Sequence, residues 1–243
     1  MISKQEVFLR GAQATAVVAV YAAWLSTQAL LEKSRGFVPN FIDHSHQALA
    51  SANAFLNAHP TVANVILAVS SFEVDLAAFS MVAFFFTQRK SRPLLALCFV
   101  LIMRQLCQSA FSIAKPPGII WRNPGFPSIV VTYSSSTDFF FSGHMALATL
   151  LAAELTCHHA AHWKQVIAWA VIGLQALVVL SMRFHYVTDV VTGFLAAIVA
   201  TQAAALIGEW LDARYSPWAL RESRPTARVE KSPIAIGAAR GKE

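Results

Sequence analysis

The sequence predicts an all-α, polytopic membrane domain of six helices with both termini cytoplasmic, and three observations carry that prediction. First, 56% of the 243 residues are hydrophobic and 13% are charged, against roughly a quarter charged in an ordinary soluble domain. Second, the apolar residues gather in runs of about 20, the length a helix needs to cross a hydrocarbon core. Third, Lys and Arg outside those runs are shared unevenly between alternate connections, thirteen on one side and five on the other. The positive-inside rule makes the richer side cytoplasmic.

The spans are expected near Ala12–Leu31, Ala63–Thr87, Pro93–Phe111, Phe139–Cys157, Val166–Met182 and Val187–Trp210. The first follows Lys4 and Arg10 and is longer than the apolar part of a secretory signal, so it is read as a retained span. The second carries Glu73 and Asp75, and the third Arg104; charges at that depth face the bundle interior or a wet cavity. Glu73 and Arg104 fall at similar depths, which suits either support of a polar pocket or a buried ion pair. Pro116, Pro117, Gly118, Pro124, Gly125 and Pro127 make the third connection an irregular loop. The short fourth connection holds His158, His159 and His162 on the cytoplasmic side, where solvated side chains are expected rather than a metal set. His44 and His46 fall on the opposite side and are read as loop residues. No alternating ten-residue pattern suggests a barrel, and a helix satisfies its own backbone within lipid.

Residues 1–215 are therefore expected to form one membrane domain and 216–243 a flexible, basic cytoplasmic tail. That tail, beside anionic headgroups, accounts for a pI near 9.5 without nucleic acid as a partner. Cys98, Cys107 and Cys157 are odd in number and irregular in spacing, so neither a disulfide framework nor a zinc site is expected.

Two stretches carry chemistry. In "DFFFSGH", Asp138 to His144, Ser142 and Gly143 open the fourth helix, whose free N–H groups attract anions, and His144 follows at once. Asp138 orients His144, meets a headgroup ammonium or caps the helix. In "RFHYVTD", Arg183 to Asp189, His185 and Asp189 are four apart at the start of the sixth helix, so both lie on one face. The carboxylate can hold one ring nitrogen and leave the other as a nucleophile, while Arg183 offers a fork of donors to a phosphate oxygen. These parts fit phosphoryl transfer through a phosphohistidine: His185 attacks, Asp189 stabilises the imidazolium and His144 exchanges the proton. The scheme requires neither a metal nor another cofactor.

On these residues the sequence resembles the type 2 phosphatidic acid phosphatases, and among them the sphingomyelin synthases and the phosphatidylcholine:diacylglycerol cholinephosphotransferases. "DFFFSGHMALATLL" is similar to the synthase element of Asp, three residues and Ser-Gly-His, with Met145 where Thr is usual. "HYVTDVVTG" is similar to the His-Tyr-x-x-Asp-Val element, and "MRQLCQSAFSIAKPPG" to a stretch in which an Arg, here Arg104, precedes a proline-rich turn. "KPPGIIWRNP" gives the phosphatase spacing of Lys115 and Arg122, with Asn123 before Pro124.

The resemblance implies catalysis by His144, His185 and Asp189 on the exoplasmic face, the side the charge count assigns independently. It also implies a lipid substrate: transfer of a phosphocholine- or phosphoethanolamine-type group from a phospholipid donor to a lipid alcohol, ceramide or diacylglycerol. A lipid phosphate phosphatase is the alternative enzyme. Intramembrane Glu73, Asp75 and Arg104 motivate a transporter or scaffold as the rival of another class. Headgroup contacts are expected from Arg183, Ser142, Gly143, Asp138, Arg104 and Glu73.

Overall fold

A computed structural model describes residues 4–34, 43–131, 133, 139–157 and 161–215. Asp138, His158, His159 and the tail from residue 216 lie outside them. All regular structure among the described residues is helical: α1 (Lys4–Ser34), α2 (His44–Ala48), α3 (Ala50–Ala58), α4 (Pro60–Gln88), α5 (Arg92–Ala110), α6 (Gly143–Thr156), α7 (His162–Ser181) and α8 (Val187–Tyr215).

Four of these, α4, α5, α7 and α8, are long and apolar enough to cross a membrane. Helix α1 has 31 residues, whereas α6 has only 14, about 21 Å. The expected fourth span began at Phe139, but Ser142 caps the helix and gives Phe139–Phe141 to the approaching loop. Local chemistry sets the other boundaries in the same way. Pro60 opens α4 where its missing N–H costs nothing, and the chain leaves that helix through Arg89 in a left-handed conformation, φ 56°. Helices α2 and α3 replace the loop read around His44 and His46. Asp43 caps α2 by accepting the Ser45 N–H at 2.8 Å.

Helix α6 is the axle of the bundle, buried on nearly all sides by α4, α5, α7 and α8. One core, with Val74, Met81, Val100 and Leu147, joins α4, α5, α6 and α8; another, with Leu67, Met145, Ile172 and Val179, joins α4, α6 and α7. Ala96 on α5 and Ala197, Ala200 and Ala204 on α8 are buried at that first core. Small residues let helices touch closely, which matters where lipid removes most of the hydrophobic drive to associate.

Both ends of α6 are pinned. Its C-terminal Glu154 accepts from Arg92 Nη2 at 2.5 Å, and nearby Ser91 Oγ donates to Asp212 of α8 at 2.6 Å. At the N-terminal end the guanidinium of Arg104 lies across Gly143. Beyond Arg104, α5 runs on for six residues to Ala110, about 9 Å. The start of α6 is therefore sunk below the rim of the bundle.

Candidate active site

The N-terminus of α6 is assembled by contacts that each demand a particular residue. Ser142, extended at φ −65° and ψ 110°, accepts the Met145 N–H with its hydroxyl and donates its own N–H to the Asp189 carbonyl at 3.0 Å. A Cβ on Gly143 would meet Arg104 Cζ at 3.2 Å, so the absent side chain is what lets the guanidinium cross the helix start. Arg104 also donates through Nη1 to the Phe141 carbonyl. A fixed cation thus reinforces the positive end of the helix dipole, an arrangement suited to an anion.

The His144 ring packs edge-on to Trp121, with centroids 6.0 Å apart, and 5.6 Å from Phe184. The His185 ring stands 6.4 Å from it, centroid to centroid. His185 Nδ1 lies 2.6 Å from the Phe139 carbonyl, which can only accept, so Nδ1 carries the proton and Nε2 is left with its lone pair. Asp189 Oδ2 is 3.7 Å from the same Nδ1, close enough for charge but beyond a hydrogen bond. That oxygen accepts the Tyr186 N–H at 2.9 Å, the reach-back of a capping box at the start of α8. The hydrogen bond expected from the carboxylate to the imidazole is thus made by a backbone carbonyl instead, while the wholly buried carboxylate lies within reach of the ring's charge.

The remaining predicted positions divide. Arg104, Gly143, His144 and His185 line one cavity of about 50 Å³, and Ser142 and Asp189 sit directly behind it. Arg183 does not line that cavity. Its backbone is left-handed, φ 58°, and its guanidinium donates to the Pro117 carbonyl at 2.6 Å and the His46 carbonyl at 3.0 Å, tying the turn before α8 to the irregular loop and to α2. Glu73 lines a separate, largely apolar cleft between α3, α4 and α7, so it and Arg104 do not share a pocket. Asp75 accepts from Ser128 Oγ and from the N–H groups of Ile129 and Val130, fastening the irregular loop to α4.

Several supports were not anticipated. Trp24 and Trp121 line the cavity, and each buries an indole Nε1 with no hydrogen-bond partner. His46 Nε2 donates to the His185 carbonyl at 3.0 Å. Asp43 accepts the Val187 N–H at 2.6 Å as well as both Ser45 donors, which fixes the entry to α8. The one legible trace of this in the sequence is Asp43 two residues before Ser45, a helix-capping pattern ahead of the histidines.

Comparison with known proteins gives two matches. The family described as AtPDCT1/2 matches residues 42–206, more than half of the chain and all of the site but Trp24. The fold is similar to that of the crystal structure of Aquifex aeolicus LpxE, with a TM-score of 0.52 and 17% identity, covering 70% of this chain and 99% of that one. No curated protein matches the sequence.

Proposed function

The chain belongs to the AtPDCT1/2 family, the phosphatidylcholine:diacylglycerol cholinephosphotransferases, and so to the type 2 phosphatidic acid phosphatase superfamily; from that premise we propose that it moves a phosphocholine-type group from a glycerophospholipid to diacylglycerol. The observation that carries the reading is the meeting of two imidazoles, from the starts of α6 and α8, at one cavity that also holds the Arg104 guanidinium.

In the first half-reaction His185 Nε2 attacks phosphorus, the bond from phosphorus to the glycerolipid oxygen breaks, and His144 gives that oxygen its proton. In the second, His144 removes the proton of an incoming hydroxyl, whose oxygen attacks phosphorus as the bond to Nε2 breaks. Arg104 and the α6 N-terminus face the charge on the phosphoryl oxygens. Phe139 holds the productive tautomer of His185, and Asp189 offsets the positive charge that the ring gains.

The same reading takes α1 and α6 as spans beside the four helices that are long and apolar enough to cross, with both termini cytoplasmic and the site toward the exoplasmic side. Its support is the alternation of ends: Arg92, Glu154 and Asp212 cluster at one, and Asp43, Asn53, Gly118 and His185 at the other. Purified protein given headgroup-labelled phosphatidylcholine and an unlabelled diacylglycerol of different acyl chains should produce labelled phosphatidylcholine carrying the acceptor's chains, and His185→Ala should not. Acid-labile, base-stable label on His185 would mark the intermediate. Release of free phosphate from a lipid monoester, with no transfer to diacylglycerol, would assign the chain to lipid phosphate hydrolysis instead.

A further inference from the structure

The headgroup cavity, at about 50 Å³, cannot contain a lipid, so the tails of any substrate must leave it through a wall. One wall consists of Trp24 on α1 and Leu101 on α5, and both residues also line a second cavity of about 260 Å³ between those helices. That second cavity is bounded by Val20, Ala23, Ile102 and Leu106, with Ala23, Ile102 and Leu106 exposed on the outer surface of the bundle. It is an apolar cleft open toward the lipid and back to back with the catalytic histidines.

Thr27, which also lines this cleft, donates its hydroxyl to the Ala23 and Trp24 carbonyls of its own helix, but two buried polar atoms of lining residues have no partner: Trp24 Nε1, a donor, and Gln105 Oε1, an acceptor. A buried donor or acceptor left unpaired forfeits its solvation with nothing in return, so such a pair beside a headgroup pocket calls for a ligand able both to accept and to donate. A straight acyl chain offers neither. The glycerol end of a diacylglycerol offers ester carbonyls to accept and a free hydroxyl to donate, with two chains to fill the cleft. We infer that the α1–α5 cleft is the lateral entry for the lipid alcohol, with Trp24 the residue that separates its tails from the headgroup pocket and orients its glycerol end.

This rests on the transferase reading, and it adds a role for α1, which lies before the residues that match the family. The cleft beside Glu73 is larger, about 440 Å³, but it shares no lining residue with the headgroup cavity. A lipid seated there has no direct opening to the two histidines.

The test uses the full chain in lipid nanodiscs and two substrates, long-chain diacylglycerol with phosphatidylcholine, and the water-soluble ester p-nitrophenyl phosphocholine. Ala23→Trp fills the cleft without touching the headgroup cavity, and should lower the ratio of lipid transfer to soluble-ester cleavage about tenfold or more. Gln105→Leu should raise the KM for diacylglycerol several-fold with less change in kcat. In parallel, a diacylglycerol with a photoreactive group in one chain should label peptides of α1 and α5 in the wild-type protein, a readout that needs no variant to fold. An unchanged ratio in Ala23→Trp, or labelling confined to α3, α4 and α7 beside Glu73, would overturn the inference while leaving the catalytic reading intact. Failure of the wild type to cleave either substrate would instead remove the catalytic reading, and the photolabel would still decide the cleft.

Discussion

Replacing Gly193 with alanine tests the site through its scaffold. Gly193 lies nearly two helical turns into α8, and a Cβ there would meet the Ser142 carbonyl oxygen at 2.4 Å, with ordinary contact beginning near 3.4 Å. The start of α6 would have to withdraw by about 1 Å, carrying His144 away from the entry to α8 and straining the Ser142 N–H bond to Asp189. Alanine in a helix interior gains up to about 1 kcal/mol over glycine, while overpacking costs about 1–3 kcal/mol, so the expected net effect is a loss of up to about 2 kcal/mol. Catalysis should suffer more, because a displacement of about 1 Å between reacting groups can cost about 100-fold in rate. Gly173→Ala is the control, since nothing lies within 4 Å of its added Cβ. The assay is kcat for transfer to diacylglycerol beside thermal unfolding in the same detergent. Wild-type turnover together with raised stability in Gly193→Ala would refute the claim that this contact sets the distance between the two histidines.

Three further predictions follow from the same geometry. Arg104→Gln should lower kcat/KM about 100-fold, and Arg104→Lys should not restore it, because a point charge cannot both hold the Phe141 carbonyl and face a phosphoryl group. Asp189→Asn keeps an oxygen to accept the Tyr186 N–H but loses the charge beside His185, so it should unfold like the wild type yet turn over about 100-fold more slowly. Near wild-type turnover would reduce Asp189 to a helix cap. Burial pushes the Asp43 carboxyl upward, but hydrogen bonds from Ser45 and the Val187 N–H outweigh it and hold the group below its usual range. Its contribution is therefore complete above about pH 4 and is lost as pH falls through the lower folded value. Asp43→Asn should remove that part of the acid limb from a stability-against-pH curve measured by thermal unfolding.

A short motif that dictates its own surroundings is legible in the sequence. Ser-Gly-His places a cap, a gap and an imidazole at one helix start, and the four-residue spacing of His185 and Asp189 puts both at the next. A residue whose partner is distant in the chain is not legible in this way. Arg183 offers a phosphate-binding fork, and nothing near it in sequence reveals that the carbonyls of Pro117 and His46 occupy that fork. Glu73 and Arg104 were matched by depth along their helices, but depth says nothing of azimuth, and the two line different cavities. The counting of apolar windows also gave α6 the length of a full span, because Phe139–Phe141 is apolar without being helical. Trp24 was one tryptophan in an apolar run, and only packing against α5 brings it to the histidines.

The shortness of α6 has a thermodynamic consequence for the two possible acceptors. Its first residue lies about 9 Å beneath the end of α5, so on the proposed transferase reading a donor lipid must carry its phosphodiester that far below the rim of the bundle to reach His185. Bulk water faces that same descent into a confined, aromatic-walled well, while an alcohol already dissolved in the bilayer does not. On the proposed transferase reading, a recessed site biases the partition of the phosphohistidine toward lipid rather than hydrolysis, through access alone and with no change in the reacting groups.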